Sequence, residues 1–261
     1  TFVMLYKKLH DHFKTAVIKP IFKKGENDKF TNFRPFSLPS SFSKLLEKVA
    51  TNQIMKYLKK FKFLYEHQYG VRSGYNTEQP VIQLLDKIYN HMNSSEGNKF
   101  TLAIFIDLTK AFDTCSIDIL LYKLSSYGFR RASNEWFKSY LTGRKQYTCV
   151  RGVNSSLKDI QCGVPQGSIL GPLLFILLIN DLPNASSFFK LLYADDTTLE
   201  MSGSNLVELY KEANIELEKL ADWFRANKLT LNISKTKYIL FRDKNQLVNF
   251  DNLHLLIDNE K

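Results

Sequence analysis

Two adjacent acids inside a β-prone stretch are the feature that most restricts how this chain can fold. Asp195 and Asp196 lie in the run Leu191-Leu192-Tyr193-Ala194-Asp195-Asp196-Thr197-Thr198-Leu199. Neighbouring side chains on a strand point to opposite faces, so adjacent carboxylates converge only at a tight turn. The run therefore predicts a β-hairpin with both acids at its tip. Because like charges repel, the pair favours a bound hard cation that takes oxygen ligands, above all Mg²⁺.

A third acid, Asp107, follows a separate apolar stretch. Residues 100–106 read Phe-Thr-Leu-Ala-Ile-Phe-Ile, which predicts a strand buried on both faces. We expect an acid at the end of such a strand to lie beside the hairpin tip. Between the two acidic sites, the loop at residues 163–172 ends at Pro172, a residue suited to the first turn of a helix.

These segments resemble the motifs of a known family. Residues 105–113, the Pro165-Gln166-Gly167 loop and the acidic hairpin are similar to motifs A, B and C of reverse transcriptases. The versions found here resemble those of non-LTR (LINE-type, jockey-like) retrotransposons. Further matches extend the resemblance over most of the chain: residues 21–25 and 32–38 resemble the fingers motifs of the family, and residues 227–236 resemble motif D.

The resemblance implies a catalytic role for four residues. Asp107, Asp195 and Asp196 would be the ligands of two Mg²⁺ ions, with Mn²⁺ as an alternative. Lys235 would donate a proton to the leaving pyrophosphate, although a surface lysine gives the same sequence signal. For the acids, the alternative is a solvated acidic turn and an unrelated acid at a strand end.

Other residues are implied as ligands of the incoming nucleotide. The triphosphate would be bound by Arg34 and by Lys23 or Lys24, whose alternative is ordinary solvation of the two lysines. Gln166 would contact the nucleotide or the templating base. Phe112 would lie under the sugar and exclude a 2′-hydroxyl, and its alternative is simple core packing.

Apolar periodicity and the resemblance together predict an α+β fold. From residue 100 the order is strand, helices, hairpin, helix and strand, which resembles a ferredoxin-like split βαβ sheet with helices on one face. In the right-hand polymerase architecture of reverse transcriptases this sheet is the palm. We expect residues 1–99 to be the N-terminal part of the fingers and residues 100–261 to be the palm, with interleaved fingers elements at about 130–162. The thumb and the endonuclease would lie outside this chain.

Two local patterns outside the motifs also predict structure. A helical stripe with lysines opposite is formed by Phe42, Leu45, Leu46, Val49, Ile54, Tyr57 and Leu58. Residues 68–76 predict a polar loop punctuated by glycine, and residues 93–99 predict another loop.

Composition favours a nucleic-acid partner and an intracellular setting. The net charge of +10, from 36 Lys+Arg and 26 Asp+Glu, suits a polyanion. The odd set Cys115, Cys149 and Cys162 contains no C-x-x-C pair, which favours a reducing compartment, the cytoplasm or the nucleus. The longest apolar run, residues 169–179, is too short to span a bilayer, so no membrane partner is expected.

The function that follows from the resemblance is that of an RNA-directed DNA polymerase. Its partners would be an RNA template, a DNA primer or target DNA, and deoxynucleoside triphosphates. Two alternatives stay open: an inactive nucleic-acid-binding remnant of a decayed retroelement, or a related polymerase such as an intron maturase.

Overall fold

The computed structural model of the protein describes residues 8–26, 28–93, 100–243 and 253–257. The chain forms two compact units, each built from two stretches: residues 1–64 with 112–178, and residues 65–111 with 179–261. Helices and sheets occur in the same chain, which confirms the α+β prediction. The loop expected at residues 93–99 lies, from residue 94 onward, outside the described residues.

The regular elements are as follows. In chain order the strands are β1 (Thr15–Phe22), β2 (Phe33–Leu38), β3 (Phe100–Ile106), β4 (Lys145–Val150), β5 (Val153–Asn154), β6 (Lys158–Asp159), β7 (Phe189–Tyr193), β8 (Asp196–Gly203) and β9 (Lys237–Arg242). The helices are α1 (Ser41–Lys60), α2 (Glu78–Met92), α3 (Ala111–Thr114), α4 (Ile117–Ser126), α5 (Ala132–Leu141), α6 (Gly171–Ile179) and α7 (Leu206–Ala226). Short 3₁₀ turns occupy Asp11–Lys14, Phe30–Asn32 and Leu182–Ala185.

The first unit contains a sheet with the strand order β2-β1-β4-β5, and β6 also pairs with β4. β1 and β2 are antiparallel, whereas β1 and β4 are parallel. The helical core of this unit includes α6, whose nine residues are apolar except for its first two and are nearly all buried. No described helix is long and apolar enough to cross a membrane.

The apolar stripe predicted for α1 is wrong in its first half. Phe42 is 72% exposed and Leu45 is 59% exposed. The face that is buried instead carries Ser43, Glu47, Ala50, Ile54 and Leu58. Two polar residues on this face bind partners inside the unit, so a pattern based on hydrophobicity alone assigns the face incorrectly.

The second unit contains an antiparallel sheet with the strand order β7-β8-β3-β9. This is the order of a ferredoxin-like sheet and confirms the predicted class of fold. α2 packs against β3 and β7, and α7 packs against β8. Side chains from alternate strand positions form a cluster with α2, and its members include Leu84, Ile88, Ala103, Phe105, Phe189 and Leu191.

A buried lysine of β7 binds the main chain of the turn that precedes this strand. Lys190 is 1% exposed, and its ammonium donates to the carbonyl oxygens of Pro183, Ser186 and Phe188 at 3.2, 2.6 and 2.8 Å. Burial lowers the pKa of Lys190 to about 8, and the charge of Glu216 opposes this shift. The lysine thus supplies a buried donor to three main-chain carbonyl oxygens around the start of β7.

We expect Lys190→Met to destabilise the chain by about 2 kcal/mol, because it leaves buried carbonyl oxygens without donors. Unfolding in urea measures the change. Lys211→Met, an exposed lysine on α7, serves as the matched control and should shift the midpoint little. Equal midpoints for the two variants would show that the contacts of Lys190 contribute nothing net.

Candidate active site

Asp107 lies directly after β3, at the end of the most buried strand of the sheet. Its main chain is fixed by the segment that precedes β9. Asn232 N donates to Asp107 O at 2.8 Å, and Asp107 N donates to Thr236 Oγ1 at 3.3 Å. Thr109 N also donates to Thr230 O at 2.8 Å. The backbone of this acid is therefore held on both sides.

The acidic hairpin forms as predicted, with one difference in where the acids lie. Tyr193 pairs with Asp196, so Ala194 and Asp195 are the two turn residues and Asp196 is the first residue of β8. Ala194 has φ of 54°, the left-handed region that a tight hairpin turn needs at this position and that alanine adopts only at a cost. Asp195 thus lies at the tip of the turn, whereas Asp196 is the first residue of the strand that follows the turn.

Strand register brings the acids together. Ile106 is paired with Thr197, so the next step of the antiparallel register places Asp107 opposite Asp196. Desolvation raises the pKa of Asp196, and the charges of Asp195 and Asp107 raise it further. The three carboxylates predicted from sequence therefore interact electrostatically within the second unit.

The chemistry of these acids fits a hard divalent cation. Asp107 Oδ2 is buried and accepts no hydrogen bond among the described residues. Carboxylate oxygens are the ligands that Mg²⁺ and Mn²⁺ prefer. No group of three or more His, Cys, Asp or Glu in the described part of the chain is already arranged as a metal site. The acids are thus close enough to interact but not gathered into a coordination sphere.

Lys235, the fourth residue predicted to be catalytic, lies in the second unit with the three acids. Its ammonium is 3.7 Å from Asp107 Oδ2, an ion pair without a hydrogen bond. The lysine side chain is 70% exposed, whereas that of Asp107 is 37% exposed. Lys235 thus partly compensates the charge of the acids and remains free to move into solvent.

Phe112 belongs to the first unit, in the short helix α3. Its ring packs against Phe175, with centroids 4.7 Å apart, and it is only partly buried. Its carbonyl oxygen accepts from Val164 N at 2.8 Å, which joins α3 to the start of the Pro-Gln-Gly loop. The residue is therefore packed against Phe175 and is only partly buried.

Gln166 is oriented from two directions within the first unit. Its Nε2 donates to Asp113 Oδ1 at 3.1 Å, and its carbonyl oxygen accepts from Ser37 N of β2 at 2.8 Å. The next residue, Gly167, has φ of 101°, and a Cβ there would lie 2.4 Å from Ser37 O. Only glycine permits this approach of the loop to β2.

The predicted triphosphate ligands lie on the β1–β2 hairpin. Arg34 on β2 is exposed and pairs in register with Ile21. Lys23 and Lys24 follow β1 and are also exposed, and Lys23 N donates to Asn32 O at 2.9 Å. This hairpin, which carries the three cations, belongs to the first unit, whereas the acids belong to the second.

Glu47 is a residue of this region that sequence analysis missed. It is 2% exposed, accepts from Ile169 N at 2.7 Å and accepts from Tyr140 Oη at 3.0 Å. Burial raises the pKa of Tyr140, and the charge of Glu47 adds to that shift. Glu47 therefore anchors the Pro-Gln-Gly loop to α1. The sequence signal that could have indicated this role is a single acid, Glu47, among the lysines of α1.

The fold and the acids define the class of the protein. A ferredoxin-like sheet with carboxylates at the ends of β3 and β7–β8 is the palm arrangement of right-hand polymerases. Solved telomerases share this fold. A Candida tropicalis apo telomerase lacking its C-terminal domain superposes with a TM-score of 0.64, at 16% identity, over 91% of this chain and 52% of that chain. A Candida albicans telomerase in complex with a fragment of telomeric RNA gives 0.64, at 14% identity, over 91% and 43%.

The chain belongs to the reverse transcriptase (RNA-dependent DNA polymerase) family, whose sequence model matches residues 21–254. It is 34% identical to a probable RNA-directed DNA polymerase from transposon BS of Drosophila melanogaster, over 85% of this chain and 25% of that protein. It is 29% identical to the RNA-directed DNA polymerase from mobile element jockey of Drosophila funebris, over 87% and 25%. The chain thus spans about a quarter of these relatives. The predicted resemblance to non-LTR retrotransposons is confirmed, and this family generally uses divalent metal ions.

We expect Glu47→Leu to destabilise the chain by about 1–3 kcal/mol, because it leaves Ile169 N and Tyr140 Oη without their acceptor. Tyr140→Phe should cost less, since it removes only one of the two bonds. Urea unfolding and amide exchange at Ile169 measure these effects, with exposed Glu212→Leu as the control. Unchanged exchange at Ile169 in Glu47→Leu would contradict the anchoring role.

Proposed function

We propose that this chain is the catalytic domain of an RNA-directed DNA polymerase that extends a DNA 3′ end on an RNA template. The observation that carries the proposal is the strand register that places Asp107 opposite Asp196, with Asp195 in the adjoining turn, at one end of a ferredoxin-like sheet. A basic chain that concentrates acids at one place, in a family of polymerases, is best explained by metal-dependent phosphoryl transfer.

The three acids are proposed as the ligands of two Mg²⁺ ions, with Mn²⁺ as a substitute. When bound, such ions supply positive charge to the attacking oxygen and to the leaving phosphate. The buried Oδ2 of Asp107, which has no hydrogen-bond partner among the described residues, supports this role. Asp196 is more exposed than Asp195, so we assign it the weaker contribution.

Lys235 is proposed as the general acid for the leaving pyrophosphate. Its exposed ammonium lies 3.7 Å from Asp107 without a hydrogen bond, so a proton can leave it without breaking a fixed contact. We propose Arg34, Lys23 and Lys24 as phosphate ligands, since all three are exposed cations on one hairpin. Arg34 offers a two-pronged contact to phosphate oxygens, whereas each lysine offers a point charge.

Phe112 and Gln166 are proposed to select the nucleotide. The partly accessible ring of Phe112, supported from behind by Phe175, suits a steric barrier against a 2′-hydroxyl. Asp113 holds the side-chain amide of Gln166 and Ser37 holds its main chain, and an amide held in this way suits a contact with the nucleotide or the templating base. We also assign the β7-β8-β3-β9 sheet to the palm.

The RNA template and the DNA primer are proposed as partners on the basis of charge and family. The net charge of +10 suits polyanionic strands. Primer extension with purified chain tests the proposal, using RNA and DNA templates and both nucleotide types. Extension with deoxynucleotides on RNA is the expected result. Binding of the RNA–DNA hybrid without any extension would favour an inactive remnant.

We expect Asp107→Asn and Asp195→Asn to abolish incorporation while the fold survives, because each variant keeps the shape of the site and loses a charge. Asp196→Asn should reduce incorporation less. Asp222→Asn, which removes an exposed acid paired with Arg225, is the control and should extend primers normally. Near-native extension by folded Asp107→Asn or Asp195→Asn would refute the catalytic assignment.

We expect Phe112→Val to admit ribonucleotides and to lower the discrimination between sugars by about tenfold or more. The measured quantity is the ratio of kcat/KM for deoxynucleotides and ribonucleotides. Phe175→Leu is the matched control, since it loosens the same aromatic pair but keeps the ring of Phe112. If both variants leave the ratio unchanged, Phe112 serves only in packing.

A further inference from the structure

A short segment before α2 runs along the free edge of β7. Leu192 N donates to His67 O at 3.0 Å, and Tyr69 N donates to Leu192 O at 2.8 Å. Gln68 and Leu192 thereby form an isolated parallel bridge. Residues 67–70, here called the edge segment, thus extend the sheet beside the strand that leads into the acidic turn.

The side chain of Gln68 reaches the turn itself. It is 1% exposed, and its Oε1 accepts from Ala194 N at 3.2 Å and from Gly70 N at 2.9 Å. Both partners are N–H donors, which establishes which end of the amide faces them. Ala194 N comes from the first residue of a two-residue turn, so Gln68 supplies it with a buried acceptor.

The backbone of the edge segment also approaches the turn closely. A Cβ on Gly70 would lie 2.3 Å from Ala194 N and 3.0 Å from Tyr193 C, so only glycine fits there. Arg72 fixes the segment from the other side, since its Nη1 donates to the carbonyl oxygens of Tyr65, Glu66 and Gln68 at 3.1, 3.2 and 2.9 Å. The segment beside the turn is therefore held by its own side-chain hydrogen bonds.

We propose that Gln68 is a positioning residue for the Ala194–Asp195 turn and thereby fixes the carboxylate of Asp195. Ala194 adopts a left-handed φ of 54°, and contacts from the surroundings must hold it there. A neutral amide suits this place, because it accepts two hydrogen bonds without adding another negative charge beside the acids. The inference rests on the proposed polymerase function for its effect on rate, but not for its effect on the turn.

The test replaces Gln68 by methionine, which keeps the length of the side chain and removes the acceptor. Amide exchange at Ala194, followed by NMR, should become about tenfold faster or more once the bond is lost. In primer extension, kcat should fall about 10–100-fold, because a misplaced reacting group costs about this much. KM for the deoxynucleotide should change little, since the hydrogen bonds of Gln68 go to Ala194 and Gly70 and not to any of the nucleotide ligands proposed above.

Two further variants separate this role from general packing. Gln83→Met is the matched control: Gln83 bonds the side chains of Tyr69 and His67 but no atom of the turn. It should leave exchange at Ala194 and kcat near the wild-type values. Gln68→Glu keeps an acceptor oxygen, and Gln68 Nε2 has no partner to lose among the described residues. Burial beside the acids favours the neutral, protonated form of the new carboxyl, whose carbonyl oxygen still accepts, so slow exchange at Ala194 should persist.

The outcomes decide the proposal separately from the polymerase function. Unchanged exchange at Ala194 in folded Gln68→Met overturns it, as does faster exchange with an unaltered kcat. A wild-type chain without polymerase activity refutes the proposed function, and exchange at Ala194 then still decides whether Gln68 holds the turn. If Gln68→Met does not fold, the wild type and Gln68→Glu decide. Rapid exchange at Ala194 in the wild type overturns the proposal. Slow exchange at Ala194 in both the wild type and Gln68→Glu supports it.

Discussion

The antiparallel register between β3 and β8 is the constraint on which the rest of the second unit depends. The pair Ile106–Thr197 sets Asp107 opposite Asp196, and the pair Ala103–Glu200 sets Glu200 within reach of α2. There its carboxylate, 3% exposed, lies 3.6 Å from the ammonium of Lys87 and 3.1 Å from the His91 ring. A shift of the register by one residue would move every side chain of β3 to the opposite face of the sheet. The register that packs the core is therefore the same register that places the acids.

The elements that sequence analysis predicted share a simple physical basis. The strand before Asp107 is an almost continuous apolar run, the strand that leads into the acidic turn is also mostly apolar, and the helix α7 carries apolar residues at helical spacing. The resemblance added the identity of the fold and of the acids. Periodicity failed in α1, where Glu47 and Ser43 lie on the buried face, because hydrogen bonds compensate polar burial in a way that a hydrophobic pattern cannot register.

The residues that could not be predicted are buried polar side chains with distant partners. Gln68 bonds a turn 126 residues away, and Glu47 bonds a loop 122 residues away. Contacts between residues so far apart in the sequence produce no periodic pattern of residue types from which they could be predicted. Gln68 lies in what reads as a polar, glycine-punctuated loop, and nothing in that pattern distinguishes an exposed glutamine from one that is 1% exposed.

Gln68, Glu47 and Lys190 follow one rule. Each is buried, and each forms a hydrogen bond with a main-chain group of a turn or loop, outside the regular hydrogen bonds of the strands and helices described here. Turns that carry functional side chains need irregular backbone, and irregular backbone leaves donors and acceptors unpaired. A side chain that supplies the missing bond fixes the turn at a single geometry without adding a regular element. The geometry of the acidic turn thus depends on Gln68, a neutral residue that hydrogen-bonds the main chain of the turn.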